Sequence, residues 1–104
     1  MFNIITRKAL LEYSEKYPLA KTALFEWYLE LVHCDFKNFN ELRKVYENAS
    51  LIGDDRVIFN IMGNNYRLIV RIVFEFKAIQ IKWFGTHQEY DKINAATINY
   101  IKKR

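Results

Sequence analysis

Four side chains that can do chemistry fall within six positions of the stretch GTHQEYDK, residues 85–92: His87, Tyr90, Asp91 and Lys92. Thr86 and Glu89 form the T-x-x-E pattern of a capping box, which predicts that a helix begins at His87. Tyr90 and Asp91 follow His87 at i+3 and i+4, so the three side chains can share one side of that helix. This stretch is therefore a candidate functional site.

The chemistry that suits these residues is RNA cleavage without a metal ion. An imidazole ordinarily titrates near neutral pH, so it can take the proton from a ribose 2′-hydroxyl or protonate the leaving oxygen. Cations nearby would offset the charge that builds on the attacked phosphate. The spacing alone favours a simpler interpretation, in which the pattern only caps a helix, Tyr90 is a core residue and Asp91 forms an exposed ion pair of little energetic value. The residues by themselves leave both interpretations open.

A predicted antiparallel meander supplies the cations. The hydrophobic period becomes two in RVIFNI (residues 56–61), YRLIVRIVFEF (66–76) and AIQIKWF (78–84), with MGNN and a turn near Lys77 between them. Alternation places Arg67 and Arg71 on the face opposite the apolar one, and Lys82 is expected beside them. In the last strand Trp83 is expected with the apolar residues and Phe84 on the other face. An ordinary solvated strand face remains the alternative for the two arginines.

Helical periodicity dominates the first half of the chain. After a short strand in residues 1–5, an amphipathic helix is predicted from Thr6 to just before Pro18, and a second one begins at Pro18. A third, shorter helix is predicted in residues 38–49. Helices grouped apart from hairpin-linked strands predict an α+β fold with the helices packed on one face of an antiparallel sheet.

A C-terminal helix completes the predicted fold. It is expected to continue from His87 with a packing stripe, followed by the basic tail Lys102, Lys103 and Arg104, which suits the negative end of the helix dipole. The expected stripe consists of Ile93, Thr97, Tyr100 and Ile101.

The composition predicts one domain spanning residues 1–104 with a real hydrophobic core, since 51% of the residues are hydrophobic. The 16 Lys and Arg residues against 12 Asp and Glu residues give a mild basic excess, which permits either a polyanion or an acidic protein as partner.

Cysteine usage and the N-terminus bear on the cellular compartment. Cys34 is the single cysteine of the sequence, so a disulfide within the chain is impossible and a reducing compartment is expected. The pattern of a signal peptide is lacking and no apolar run is long enough to span a bilayer, so we expect a cytoplasmic protein without a membrane partner. One cysteine and two histidines are too few for a structural zinc site, and dinucleotide and phosphate-loop motifs are missing, so neither metal nor cofactor is expected.

The order of these motifs resembles the HigB family of bacterial toxin–antitoxin modules, part of the wider RelE-like group. The similarity lies in the F-N-x-x-G-N turn, the N-x-Y-R-L strand and the closing T-H-x-E-Y-D-K of FNIMGNNYRLIVRIVFEFKAIQIKWFGTHQEYDK. The upstream segment LRKVYENASLIGDDRVIF and the opening strand and basic helix are also similar, so the resemblance covers nearly the whole chain. Each motif is modest alone, but their order and spacing make the resemblance specific.

The resemblance implies a RelE-like fold and a metal-independent endoribonuclease that cleaves messenger RNA, typically in the ribosomal A site, and so inhibits translation. It also implies a cognate helix-turn-helix antitoxin of the HigA type. Arg67 would stabilise the phosphate, His87 would be the acid or base, and Tyr90 would stack on a base or assist proton transfer.

The resemblance also suggests residues that bind RNA without a chemical role. Lys82 occupies a place where the family commonly carries a basic residue, and Asp91 and Lys92 belong to the closing motif. Arg71 would only position RNA. Two alternatives stay open on the same scaffold, a non-catalytic RNA or ribosome binder and a protein-interaction domain whose basic face meets an acidic partner.

Overall fold

The computed structural model describes residues 1–53 and 55–100. Its strands are β1 (Asn3–Ile5), β2 (Ser50–Ile52), β3 (Arg56–Ile61), β4 (Tyr66–Val73) and β5 (Ala78–Thr86). Its helices are α1 (Arg7–Lys16), α2 (Lys21–His33), α3 (Phe39–Val45) and α4 (His87–Tyr90), with single 3-10 turns at Pro18–Ala20 and Phe74–Phe76. The predicted α+β fold is confirmed.

The strands form one sheet in the order β1-β5-β4-β3-β2. The meander β3-β4-β5 is antiparallel, as the alternation predicts. The short strand β2 extends it as an antiparallel edge strand, which was not predicted from the sequence. The N-terminal strand β1 pairs in parallel with β5 at the other edge. The sheet therefore departs from a purely antiparallel one only at that edge.

The first three helices pack on one face of the sheet and share one hydrophobic core with it. The buried residues of α2 are Leu24, Trp27 and Leu31, whose spacing puts them on one side of the helix. They meet the alternating apolar face of the meander, where Phe59 packs edge-on against Trp27 with ring centres 5.4 Å apart. The cations that alternate with this apolar face therefore point away from the helices.

A β-bulge in the pairing of β4 with β5 corrects the prediction for the last strand. The register passes from Ile69 opposite Trp83 to Val70 opposite Ile81, which leaves Lys82 as the extra residue. One extra residue reverses the alternation beyond it. Phe84 is consequently buried in the core and Trp83 lies on the opposite face, so the faces predicted for these two residues were wrong.

The second strand of the meander is also shorter than predicted. It ends at Val73, because Phe74–Phe76 form a 3-10 turn rather than more strand. Lys77 closes this turn with a φ of 52°, which confirms the turn predicted near that residue. Phe76 is left 74% exposed instead of lying on the apolar face.

The C-terminal helix has only one turn, so its predicted continuation through Ile93, Thr97 and Tyr100 is wrong. After Tyr90 the Lys92 and Ile93 amides donate to carbonyl oxygens three residues back, at 3.1 and 3.3 Å, so the α-helical pattern ends there. Asn94 then forms a local turn, in which its side-chain oxygen accepts a hydrogen bond from the Ala96 amide at 3.1 Å. The rest of the prediction, Ile101 and the basic tail, lies outside the described residues.

The segment after α4 lies over part of the second sheet face. Ile58 and Ile69 are cross-strand partners on that face, and both are buried although neither belongs to the main core. Arg56, on the same face, donates hydrogen bonds to the carbonyl oxygens of Ala95 at 3.0 Å and Ile98 at 2.7 Å. These contacts show that the C-terminal segment lies against this face at Arg56, so the face is only partly open.

Candidate active site

The Arg67 guanidinium meets the side chains that α4 presents. Its Nη2 atom lies 3.5 Å from Nδ1 of His87, and its Cζ atom lies 5.9 Å from the centre of the Tyr90 ring, in cation–π range. Because a guanidinium only donates, Nδ1 is the acceptor in this contact, and the proton of a neutral imidazole lies on Nε2. The structure therefore brings together the strand arginine and the two α4 side chains that the sequence singled out.

Arg67 is held by neutral oxygen atoms. Its Nη1 atom donates to the backbone carbonyl oxygens of Asn64 at 3.1 Å and Tyr66 at 3.2 Å, and its Nη2 atom donates to Oδ1 of Asn64 at 2.7 Å. Among residues 1–53 and 55–100 it makes no ion pair with a carboxylate. The guanidinium is thus fixed in place while its charge remains available to an anion.

The turn between β3 and β4 holds both halves of this site. Asn64 fixes Arg67, and the carbonyl oxygen of the next residue, Asn65, accepts a hydrogen bond from the His87 amide at 2.9 Å. The turn begins with two left-handed residues, Met62 at a φ of 56° and Gly63 at 67°. The sequence predicted MGNN only as a turn. Its second role, which is to hold Arg67 and the His87 amide, is indicated only by the asparagine pair, because asparagines in turns readily form local hydrogen bonds.

The predicted capping box at the start of α4 is confirmed. The Thr86 hydroxyl accepts from the Glu89 amide at 3.1 Å, and the Glu89 carboxylate accepts from the Thr86 amide at 2.9 Å. Thr86 is itself paired with Tyr66 in the sheet, one residue before Arg67. The cap therefore sets α4 at a fixed position relative to the strand arginine.

Tyr17, the C-cap residue of α1, connects this cap to the helical layer. Its hydroxyl donates to Oε1 of Glu89 at 2.6 Å. That bond, followed by the Thr86 amide, holds the pKa of the Glu89 carboxyl below its usual range. Burial raises the pKa of Tyr17, and the hydrogen bond to the Glu89 carboxylate raises it further. The Glu89 carboxylate therefore completes the capping box and also connects α4 to the helical layer through Tyr17.

Trp83 forms a wall of the candidate site, a position that was not predicted from the sequence. Its ring centre lies 6.4 Å from that of Tyr90, and its indole extends over Gly85, the cross-strand partner of Arg67. A Cβ atom at Gly85 would lie only 2.5 Å from the Trp83 ring, so the missing side chain leaves room for the indole. Arg67, Trp83, His87 and Tyr90 form what we call the Arg67 cluster.

Arg71 and Lys82 belong to a second group. Arg71 donates from Nε to Oδ2 of Asp55 at 2.8 Å, and it lies opposite Arg56 in the sheet. Burial lowers the pKa of Lys82, and the charges of Arg56 and Arg71 lower it further, while Asp55 raises it. We call Asp55, Arg56, Arg71 and Lys82 the Arg71 cluster. Arg71 is four residues from Arg67, about 13 Å along an extended strand, so the predicted cations do not form one site.

Asp91 and Lys92 do not join either cluster. Both are exposed, and within the part of the chain that the structure describes their side chains form no hydrogen bond or ion pair. The exposed Asp91 ion pair considered from the sequence is therefore not formed. The same described residues contain no group of three His, Cys, Asp or Glu side chains placed to hold a metal ion.

Comparison with known proteins identifies the family. The family described as HigB_toxin, RelE-like toxic component of a toxin-antitoxin system, matches residues 20–93, which include both clusters. The chain is 33% identical over 96 residues to the mRNA interferase toxin HigB of Escherichia coli strain K12, covering 89% of this chain and 91% of that protein. The mRNA interferase HigB of Shigella flexneri gives the same figures, and that of Escherichia coli O6:H1 is 30% identical over 93 residues, covering 88% and 90%.

The fold and the matched residues place this protein among the RelE-like toxins. More particularly, the chain belongs to the HigB toxin family, the toxic component of a toxin–antitoxin system. The family resemblance inferred from the order of the sequence motifs is thereby confirmed. No helix in residues 1–53 and 55–100 combines the length and apolar character that a membrane crossing needs.

Proposed function

We propose that this protein is the toxin of a type II toxin–antitoxin system and an endoribonuclease that cleaves messenger RNA at the Arg67 cluster. The single observation that carries the site assignment is the contact between Arg67 and His87, which joins a phosphate-binding cation to a proton-transfer group. The relatives named mRNA interferase, aligned over about nine tenths of the chain, support the substrate.

The proposed chemistry is attack of a ribose 2′-oxygen on the adjacent phosphorus atom. A base removes the proton of the 2′-hydroxyl, a bond forms to phosphorus, and the bond to the 5′-oxygen breaks as an acid protonates that oxygen. Arg67 faces the phosphate oxygens, where negative charge grows in the transition state. His87 moves a proton at Nε2, the ring nitrogen that faces away from Arg67.

Aromatic side chains of the cluster position the RNA. Tyr90 and Trp83 offer ring faces on the same side of the sheet, and such faces stack on bases of any sequence. Because Arg67 lies over one face of the Tyr90 ring, a base would stack on the opposite face and leave the guanidinium to the phosphate. The Tyr90 hydroxyl is a second candidate for proton transfer.

The Arg71 cluster binds the RNA backbone in this proposal. Its three cations are accompanied by a single carboxylate, and a phosphate would relieve the repulsion that Arg56 and Arg71 exert on Lys82. Arg71 itself is largely neutralised by Asp55 and positions RNA without chemistry. Asp91 and Lys92 are free to contact RNA at the edge of the site.

We further propose that cleavage occurs on translating ribosomes in the cytoplasm and thereby inhibits translation. The mild excess of 16 basic over 12 acidic residues suits a protein to which the ribosome presents the RNA. The partner that holds the toxin inactive is proposed to be a helix-turn-helix antitoxin of the HigA type, which the family membership makes the natural candidate.

Controlled expression of the toxin tests this function. Expression without the antitoxin should arrest growth and produce new 5′ ends in messenger RNA, detected by primer extension. Arg67→Ala and His87→Ala should each relieve the arrest and reduce cleavage by about 10²-fold or more, while circular dichroism shows that both variants stay folded. If both variants remain fully toxic, the assignment of the Arg67 cluster is wrong. Growth arrest without new 5′ ends would favour a non-catalytic RNA or ribosome binder instead.

A further inference from the structure

Asn64 in the turn between β3 and β4 holds Arg67, although it takes no part in the proposed proton transfers. Its backbone carbonyl oxygen accepts a hydrogen bond from Nη1 of Arg67 at 3.1 Å, and its side-chain oxygen Oδ1 accepts one from Nη2 at 2.7 Å. Two oxygen atoms of one residue thus engage both terminal nitrogen atoms of the guanidinium, which is the bidentate arrangement that a carboxylate ordinarily makes. Here both oxygen atoms are neutral, so the contact orients the guanidinium and leaves its charge in place.

The donors that remain on Arg67 lie along one edge of the guanidinium. Of its five N–H groups, a second one on Nη1 donates to the Tyr66 carbonyl oxygen at 3.2 Å, and a second one on Nη2 faces Nδ1 of His87 at 3.5 Å. The latter distance is at the long limit for a hydrogen bond. The Nε–H group has no acceptor among residues 1–53 and 55–100. Nε–H and the weakly held Nη2 hydrogen therefore form an available fork that fits two oxygen atoms of a phosphate.

The turn that presents Asn64 adopts an unfavourable backbone conformation. Met62 has a φ of 56° and Gly63 a φ of 67°, and the Asn65 amide closes the turn with a hydrogen bond to the Met62 carbonyl oxygen at 3.3 Å. The left-handed region is disfavoured for a residue that carries a side chain, such as Met62. Strained residues persist where the surrounding structure determines them, and they are concentrated at functional sites. The strain supports a role for the turn beyond connecting two strands.

We propose that Asn64 is the positioning residue of Arg67 in RNA cleavage. Its side-chain amide holds the Nη end of the guanidinium and so directs the fork of Nε–H and Nη2–H at the phosphate under attack, on the side where His87 lies. A guanidinium that is fixed before the substrate arrives needs no reorientation when charge develops on the phosphate, which lowers the barrier. The proposal deepens the proposed function and rests on it for the substrate, whereas the contact between Asn64 and Arg67 is independent of it.

A double-mutant cycle tests whether Asn64 acts through Arg67. Single-turnover cleavage of a defined RNA is measured at several protein concentrations for the parent, Asn64→Ala, Arg67→Ala and the double variant, which separates the rate of the bound complex from RNA affinity. Asn64→Ala should lower that rate by about tenfold and weaken RNA affinity by less than about threefold. With Arg67→Ala already present, adding Asn64→Ala should lower the rate by less than about twofold, because its partner is gone. An equal loss in both backgrounds would overturn the proposal.

Asn64→Asp separates the orientation of the guanidinium from its charge. The new carboxylate has the shape of the amide and keeps the hydrogen bond to Nη2, but it neutralises Arg67 and repels the phosphate. The rate of the bound complex should therefore fall below that of Asn64→Ala, even though the guanidinium is held at least as firmly. A rate equal to that of the parent would contradict the proposal, because the neutrality of the acceptor would then not matter.

Asn38 provides the matched control. It is the N-cap residue of α3, in the helical layer on the other side of the sheet, and its Oδ1 atom accepts a hydrogen bond from the Glu41 amide at 3.0 Å. Asn38→Ala should lower the melting temperature, since an N-cap bond is lost, whereas Asn38→Asp should keep the cap. Both variants should keep the cleavage rate within about twofold of the parent, because the site is distant. A loss in Asn38→Asp equal to that in Asn64→Asp would assign the effect to net charge and overturn the proposal.

A readout that needs no cleavage separates this proposal from the proposed function. In the nitrogen NMR spectrum of isotope-labelled protein, the two Nη groups of Arg67 should give separate signals, because hydrogen bonds slow the rotation of the guanidinium. In Asn64→Ala these signals should broaden and merge, while in Asn38→Ala they stay separate. If they remain separate in Asn64→Ala, the proposal is wrong whatever the cleavage rates are. If the parent cuts no RNA but the signals merge, the proposed function fails and Asn64 stands as the residue that positions Arg67.

Discussion

Arg67 and Arg71 stand on the same strand and the same face, yet their surroundings differ in kind. Arg67 is held by carbonyl and amide oxygens from Asn64 and Tyr66, all of them neutral. Arg71 is held by the carboxylate of Asp55. Neutral acceptors orient a guanidinium without cancelling its charge. A carboxylate orients the guanidinium and also neutralises it. Arg67 is thus prepared to meet a new anion, and Arg71 already has one.

The two clusters also differ in what accompanies the arginine. The Arg67 cluster adds an imidazole, that of His87, and two aromatic ring faces, whereas the Arg71 cluster adds only further charge from Arg56 and Lys82. A cation beside an imidazole can lower a reaction barrier, while cations alone bind a polyanion in any position along its backbone. The comparison therefore predicts chemistry at the first cluster and affinity at the second.

Replacing each arginine by lysine tests the difference between the two clusters most directly. Arg67→Lys keeps the charge but loses the planar fork that Asn64 orients, so cleavage of RNA should fall by about 10²-fold. Arg71→Lys should change the cleavage rate by less than about threefold, because a lysine can still pair with Asp55 and attract phosphate. Single-turnover cleavage of a defined RNA measures both effects.

Arg71→Ala completes the test of the second cluster. Removing this cation should weaken RNA binding and reduce the slope of log affinity against log salt concentration by up to about one, with the rate of the bound complex unchanged. Equal losses of the single-turnover rate in Arg67→Lys and Arg71→Lys would show that the two clusters act as one site.

Most of the fold follows from local patterns in the sequence. The spacing of apolar residues in α2 and the alternation in β4 are regular, and both elements form over most of their predicted length because tertiary contacts reinforce the local preference. Their ends differ, since α2 begins at Lys21 rather than Pro18 and β4 ends at Val73 rather than residue 76. The bulge at Lys82 was not predictable in this way, because a bulge depends on how two strands align with each other. The early end of α4 does not follow from apolar spacing either, because the Lys92 and Ile93 amides bond to carbonyl oxygens three residues back and Asn94 then forms a local turn.

Only part of the candidate site was predictable from the sequence, because only local patterns can be recognised there. His87 and Tyr90 were identifiable because their spacing and cap are local, and Arg67 because strand alternation is local. Trp83 was predicted on the wrong face because the sequence did not reveal the bulge at Lys82. Asn64 and Asn65 hold Arg67 and the His87 amide through contacts that form only in the folded sheet. Residues that act through partners distant in sequence leave no periodic signal.

Gly85→Ala tests whether the position of the Trp83 ring matters for stability and cleavage. The Arg71 cluster contains no aromatic residue of this kind. The new methyl group would lie 2.5 Å from the indole and 3.0 Å from the Glu89 carboxylate, so the Trp83 ring must leave its position over residue 85. We expect a loss of about 2 kcal/mol in the free energy of unfolding, together with reduced cleavage. Denaturant unfolding and tryptophan fluorescence measure the two consequences.

Trp83→Phe in combination with Gly85→Ala is the control for crowding. The smaller ring leaves room for the methyl group, so the double variant should be more stable than the sum of the single effects predicts. Strict additivity of the two substitutions would mean that Gly85 is not required by the indole.

The smallest predicted effect concerns the charge that caps α4. Glu89 has a lowered pKa, so its carboxylate stabilises the folded state at pH values above about 4.5, its ordinary pKa, and this contribution is lost as the pH falls through the lowered value. Glu89→Gln should therefore reduce the free energy of unfolding by about 0.5 kcal/mol at pH 7, a modest value because the group is partly exposed. The difference from the parent should shrink as the pH is lowered below about 4.5, as measured by urea unfolding at pH 7 and at a series of acidic pH values.

Glu26→Gln on the exposed side of α2 is the matched control and should show no such pH-dependent difference, since Glu26 forms no hydrogen bond or ion pair within residues 1–53 and 55–100. Tyr17→Phe should reproduce part of the Glu89→Gln effect, because it removes the hydroxyl that contributes most to the lowered pKa. A pH-independent loss in Glu89→Gln would assign the contribution of Glu89 to packing, and the position of His87 beside Arg67 would then not depend on this charge.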